Sequence, residues 1–442
     1  MSGWMDQSEG GPMIGIADRK RYSRSPVPTS RLDFQISSMG LETTEASPSP
    51  DPGWLEQLEA DPSARLSQII AFYRQHKRPV ELFEAIKMQT RASLGLPLVA
   101  DPETPEEPPN ELGRKLEEGL LDACRQAGAM LIDMGRISEG WMYLRPTGDM
   151  ALVRRLLSEV PVTEENQDEM VHVLLHEGVD IARGYQAVLD FQGTCNSITL
   201  FDQHIASRSR GDRKAAAGCL LRHFYNELLM LVRDDFRSRA PQHGVAADVI
   251  AKDSSSVGLG DLIAKYNWIL GEGGYHLDTT HLASTVRFAI HLDTPEDYQL
   301  AWELTQYGRR LPEDFQYPGE EPFVDFYPAH ATYFAALLGR DPETAVRYFA
   351  QKARTVDVMT GGTGAIESYV DLLDRLGRPA EALAAAMALF PNDVPTQRVI
   401  ADLIRMADAA KRNGDEAIIG KLERFLFERN DLLGVAAVAS LK

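Results

Sequence analysis

Apolar residues recur at three- and four-residue intervals along most of the chain, and alternation with period two is rare. Leu66, Ile69, Ile70 and Tyr73 form one such stripe, and Val80, Phe83, Ile86 and Met88 form the next. That spacing belongs to a helix that turns one face to a core. The same pattern predicts helices over 110–134, 137–145, 148–159, 164–177, 180–192, 195–206 and 213–238. From 260 onward the chain reads as helix, tight turn, helix. Thr294-Pro295-Glu296-Asp297 marks one start with a cap, a first-turn proline and acids at the positive helix end. Asp341-Pro342-Glu343 marks another in the same way. The fold class expected is all-α.

Punctuation between the stripes predicts the domain plan. Residues 1–52 are rich in Ser, Gly and Pro and read as a disordered N-terminal tail, because such a segment buries too little apolar surface to offset its ordering entropy. Met39 offers an alternative translation start to Met1. Residues 53–240 form an N-terminal helical region, interrupted by a proline- and acid-rich linker at 101–110. The Gly-, Ser- and Ala-rich stretch 241–260 reads as a loop or hinge, and 261–442 as a C-terminal helical-repeat region.

One turn recurs through these regions: an apolar residue, Gly, then Arg. It stands at Met134-Gly135-Arg136, Tyr307-Gly308-Arg309, Leu338-Gly339-Arg340 and Leu376-Gly377-Arg378, with Asn413-Gly414-Asp415 as a looser copy. From Gly308 the glycines are spaced by roughly 31 to 38 residues, near the ~34-residue period of paired-helix solenoids. A small residue follows three of these glycines: Ala382 after Gly377, Ala345 after Gly339 and Gly140 after Gly135, with Pro391 closing one unit. On these residues the chain resembles the tetratricopeptide repeat family, well over 290–442 and loosely over 110–145. The 160–285 stretch carries no clean copy, and most first-helix aromatic positions are missing. The resemblance implies stacked antiparallel helix pairs in an α-solenoid whose concave face binds a peptide or another protein. The turns have a purely local explanation too, since a helix-ending Gly adopts the left-handed conformation cheaply and a cation there suits the dipole.

Two polar knots stand out from this helical background. His172 and His176 lie four residues apart within VHVLLH, so a helix brings both imidazoles to one side, and Glu177 follows directly. The order is not that of the zincin motif. A Gly193-Thr194-Cys195-Asn196 corner comes next, in which Thr194 or Asn196 caps a helix, and then Asp202 and His204. The second knot holds His276, Asp278 and His281, with Arg287 two turns on. Asp278 or Thr279 suits the N-cap of ASTVRFAIHL, and the second His-Leu-Asp-Thr, ending at the cap Thr294, favours that structural role. A functional role needs both knots to meet. His172, His176, Glu177, His276, Asp278 and His281 would then offer ligands to a divalent transition metal, with Cys195, Asn196, Asp202, His204 and Arg287 lining a ligand pocket. The Gly361-Gly362-Thr363-Gly364 run precedes a helix but has no lysine in phosphate-binding register, and reads as a flexible turn.

Charge and composition narrow the classes. The 442 residues include 65 acidic against 46 basic, a net charge of −19, which disfavours a nucleic-acid partner. Three scattered cysteines, Cys124, Cys195 and Cys219, form no framework for disulfides and fit a reducing compartment. No apolar run spans a bilayer and no signal-peptide core opens the chain, so the location expected is cytoplasmic with no membrane partner. Two functions remain open: a helical-repeat scaffold for a protein or peptide partner, and a metal-dependent enzyme or small-molecule-binding protein whose pocket joins 172–204 to 275–287.

Overall fold

The structure is a computed structural model that describes residues 50, 52–100, 110–273, 275–392 and 399–441. The expected N-terminal tail and the 101–110 linker lie almost wholly outside the described residues. Those described are all-helical, without a strand. No helix among them is long and apolar enough to cross a membrane.

The chain divides into two compact units at Val160/Pro161, not at the hinge expected over 241–260. That stretch is mostly helix in the structure, with a 3-10 turn at Ala240–His243, a helix at Ala247–Ser256 and the start of another at Leu259. Its Ser and Ala residues sit inside helical turns. Asp253 is buried and fixes the stretch, accepting hydrogen bonds from Tyr266 Oη at 2.6 Å and Lys265 Nζ at 2.7 Å.

The first unit contains α1 (Pro62–Gln75), α2 (Pro79–Ser93), α3 (Asn110–Asp133), α4 (Ile137–Leu144) and α5 (Met150–Ser158). Its core is built from the stripes visible in the sequence, including Ile70, Phe83, Ile86, Leu120 and Leu131. Gly128 and Gly140 let α3 and α4 touch: a Cβ on Gly128 would lie 2.9 Å from the Gly140 carbonyl oxygen. Larger residues there would push the helices apart.

The second unit begins with α6 (Gln167–Val171), which runs into a π-helical turn at His172–His176. Then come α7 (Ile181–Leu200), ending in a second π turn at Phe201–Ile205, and α8 (Arg210–Arg239), 30 residues long. α7 breaks at Gly193, whose φ of 81° and ψ of 173° make the expected corner. α8 packs against α7, α9 (Ala247–Ser256), α11 (Thr279–Phe288) and α12 (Pro295–Gly308), while α10 (Leu259–Lys265) packs on α12. The remaining helices are α13 (Phe326–Leu337), α14 (Pro342–Thr355), α15 (Val358–Gly361), α16 (Gly364–Arg375), α17 (Pro379–Leu389), α18 (Ile400–Arg412), α19 (Ala417–Glu428) and α20 (Leu432–Ala439). Sequential neighbours pack in turn from α16 to α20, on one continuous apolar core.

The recurrent turn has one geometry. At Gly377 the backbone is left-handed (φ 74°), its N–H reaches Asp374 O at 3.0 Å, and the Arg378 N–H reaches Leu373 O at 3.0 Å. This pair of bonds closes the last helical turn and sends the chain back along its partner. Gly135, Gly339 and Gly414 do the same, and so do Lys77 and Asn430 without glycine. Gly308 does not. It is the last residue of α12, and a Cβ there would fall 2.3 Å from the Tyr327 ring. Its role is close packing with α13. Ala345 and Ala382 are fully buried, as the small-residue positions after the turns require.

Candidate functional site

The first polar knot lies on the two π turns. A π turn bonds each N–H to the fifth carbonyl back, and here Glu177 N reaches His172 O at 3.0 Å and Ala206 N reaches Phe201 O at 2.8 Å. The wider turns bring three imidazoles into a row: the His176 ring centroid is 6.3 Å from that of His172 and 6.2 Å from that of His204. All three are exposed. Glu177 stands 3.8 Å from His172 Nε2, and Arg208 donates to the His176 carbonyl at 3.0 Å. Partial burial, then the neighbouring His172, His204 and Arg208, hold the His176 imidazole below its ordinary pKa.

Cys195 and Asn196 are exposed on the far side of the α7 kink. The Asn196 amide turns back to Gln192 O at 2.8 Å, so neither it nor Thr194 supplies the cap expected at this corner. Asp202 and Arg287 do meet, at 2.9 Å, tying the second π turn to α11, and the Arg287 guanidinium lies over the Phe288 ring. All five residues expected to line a pocket are exposed, and none is enclosed in one.

The second knot is satisfied separately. Asp278 is the N-cap of α11, accepting from Thr280 N at 2.8 Å and His281 N at 3.4 Å. The Thr280 hydroxyl, donating at 2.6 Å, is the first cause that holds its carboxyl below the usual range, with the backbone bonds adding to it. His276 bonds Tyr307 Oη at 2.9 Å through Nδ1 and stands 3.4 Å from Asp235. Asp235 is near the C-terminal end of α8, whereas Arg208, the partner of His176, precedes its N-terminus. At 1.5 Å per residue the start of α8 and Asp235 are roughly 37 Å apart. The two segments therefore touch through Asp202 and Arg287, while His276 lies far from His176, and the six expected metal ligands are not gathered. Among the described residues no group of three or more His, Cys, Asp or Glu side chains is arranged to hold a metal ion.

The residues that do converge are others. A cavity of about 520 Å³ opens between the N-terminus of α8, the turn at Ala289–His291, α13, α16 and α18. Ile290, Phe323, Val370, Phe390, Leu403 and Met406 give it apolar walls. Its polar side comes from one face of α16, where Glu367, Ser368, Asp371, Asp374 and Arg375 recur at helical spacing. Asp371 is the hub at one end. It accepts from Tyr333 Oη at 2.7 Å and Arg375 Nε at 2.6 Å, and Arg210 approaches it to 4.0 Å. Arg375 is itself pinned by the Leu292 carbonyl and by Tyr298 Oη. At the other end Arg405 bridges Asp374 at 2.8 Å and Asp402 at 3.0 Å.

Arg213 is the least satisfied member. One guanidinium nitrogen reaches Arg208 O at 2.7 Å, but its buried Nε has no acceptor. Beside it the His291 pKa is pushed down to about 4, first by burial and then by the charges of Arg213 and Arg375. None of these residues stood out in the sequence. The available signal was the polar stripe on α16, masked because Arg375 lies just before the repeat-like Gly377 turn.

No protein-family model, curated protein or solved structure matches this chain.

Proposed function

We propose that this protein is a helical-repeat scaffold that binds a partner polypeptide in the α8–α13–α16–α18 cavity. One observation carries the reading: the cavity sets a wall of apolar side chains against a wall of ion pairs, between helices and not at a surface knot. Its volume is within the ~300–1,000 Å³ of ordinary ligand pockets. The architecture we infer is solenoid-like and akin to tetratricopeptide repeats. The repeated left-handed turns and the buried alanines after them support it. The alternative of a metal-dependent enzyme or small-molecule pocket joining 172–204 to 275–287 has less support: the segments touch through Asp202 and Arg287, but His276 bonds Tyr307 and Asp278 caps its own helix.

The test is selection from a random-peptide display library on the purified chain. A Ser368→Trp variant, which fills the cavity, is run beside it after thermal melting has established that it folds. Enrichment of a shared motif that binds the natural chain and not the variant is the expected result. No enrichment, or equal binding to both, overturns the proposal.

A further inference from the structure

The cavity has charge at both ends, and the ends differ. At the α18 end one guanidinium, Arg405, serves two carboxylates, Asp374 and Asp402. At the α8 end three guanidinium groups, Arg210, Arg213 and Arg375, line the cavity together with the carboxylate of Asp371, which Arg375 bonds and Arg210 approaches. The other acid on this stretch of α16, Glu367, is engaged by the Thr363 hydroxyl at 2.6 Å. The α8 end thus carries an excess of cation inside a chain whose net charge is −19. Two side chains hold that excess. Arg375 is consumed by Asp371, Leu292 and Tyr298, whereas Arg210 has only a long contact to Asp371 and Arg213 keeps a buried N–H without an acceptor.

A buried donor without an acceptor costs free energy until something supplies one. A planar guanidinium is best matched by a carboxylate, which accepts two parallel bonds. His291, next to this pair, is held neutral by burial and by Arg213, so it adds no charge of its own and can accept or donate one further bond. Ile290 and Phe323 beside them give the rest of a ligand an apolar seat.

Resting on the partner-binding reading above, we infer that the partner anchors itself by a carboxylate seated between Arg210 and Arg213, with an apolar residue next to it in the cavity. The carboxylate belongs to an Asp or Glu side chain or to a chain terminus, and the experiment separates the two.

A peptide enriched in the selection is synthesised in four forms: natural, with its acids replaced by the corresponding amides, with an amidated C-terminus, and with both changes. Affinity is measured by titration against the natural chain, Arg210→Gln and Arg213→Gln, after melting curves have established that both variants fold. The acid form should bind the natural chain about tenfold or more tightly than the matching amide, as for a charge-assisted hydrogen bond in a sheltered site. Loss from the side-chain replacement assigns an Asp or Glu anchor, and loss from C-terminal amidation assigns the terminus. Arg213→Gln should abolish the discrimination, and Arg210→Gln, at a more exposed position, should reduce it. Equal affinity of all four forms for the natural chain overturns the inference while leaving the partner-binding reading intact. Discrimination that survives in both variants places the anchor elsewhere and overturns it as well. A selection that enriches nothing overturns both proposals.

Discussion

His330 offers a sharp check on the second unit, because its whole environment is visible. It lies in α13 with 1 % of its surface exposed, stacked on Phe323 at 3.9 Å, and its Nδ1–H donates to Phe326 O at 2.8 Å. Burial dominates: it pushes the pKa from 6.5 down to about 4, against the hydrogen bond to Phe326, which favours the charged ring. The native chain therefore holds this imidazole neutral while the unfolded chain protonates it near its ordinary value. Between those two values the unfolded state binds the extra proton, so stability present above pH 6.5 is lost as the pH falls toward 4. Each tenfold difference in proton affinity between the folded and unfolded chain is worth ~1.4 kcal/mol. That puts the full loss at roughly 3 kcal/mol and the loss from about pH 7 to about pH 5 at roughly 2 kcal/mol. His330→Phe keeps the stacked ring and removes the proton site. Urea denaturation at the two pH values should show the variant losing roughly 2 kcal/mol less than the natural chain. Equal losses would mean that His330 is not held neutral, and that the packing of Phe323 and Phe326 on it is wrong.

Three further substitutions probe the helix contacts. Ala382→Leu should overpack a fully buried position on α17 and lower stability by ~1–3 kcal/mol, read from the urea midpoint; an unchanged midpoint would remove Ala382 as a packing position. Gly308→Ala puts a Cβ 2.3 Å from the Tyr327 ring and should cost ~2 kcal/mol or more, whereas a turn glycine free of neighbours would show only the smaller backbone effect. Asp278→Ala should lower stability by ~1 kcal/mol through loss of the α11 cap, and no change in the thermal midpoint would contradict its capping role.

Much of the helical architecture was legible because it is written in local sequence. The apolar stripes fix the helix faces, and Thr294 and Asp341 cap their helices as expected. The left-handed turns were legible only where glycine marks them. Lys77 and Asn430 adopt the same conformation, and nothing in a glycine pattern finds them. Gly308 shows the opposite failure. It sits in the same apolar-Gly-Arg context as Gly339 and Gly377, yet its role is set by Tyr327, which arrives from the next helix. Local sequence cannot tell a glycine that turns the chain from one that makes room for a neighbour. The 241–260 stretch misled for a related reason. Its small residues suit a loop, but buried Asp253 with Lys265 and Tyr266 fixes it as helix.

The candidate sites show the same limit more severely. The density of His and Asp in the two knots suggested that they complete each other, because a polar group on an apolar helix needs a partner. The premise holds, and Asp202 does pair with Arg287 across the knots, but the conclusion fails for the histidines and for Asp278. His276 takes Tyr307 and Asp235, Asp278 takes the first turn of its own helix, and the imidazoles near the π turns face water. The cavity inverts this. Arg210, Arg213, His291, Tyr333 and Asp371 are scattered along the chain and individually ordinary, and their significance comes only from convergence. A functional site assembled from distant helices leaves its clearest trace in unfinished pairing: the Nε of Arg213, buried without an acceptor in a residue that lines the same cavity as a carboxylate already shared by Tyr333 and Arg375. Clustering along a sequence measures how many polar groups need partners, and the folded neighbours decide which of them still lack one.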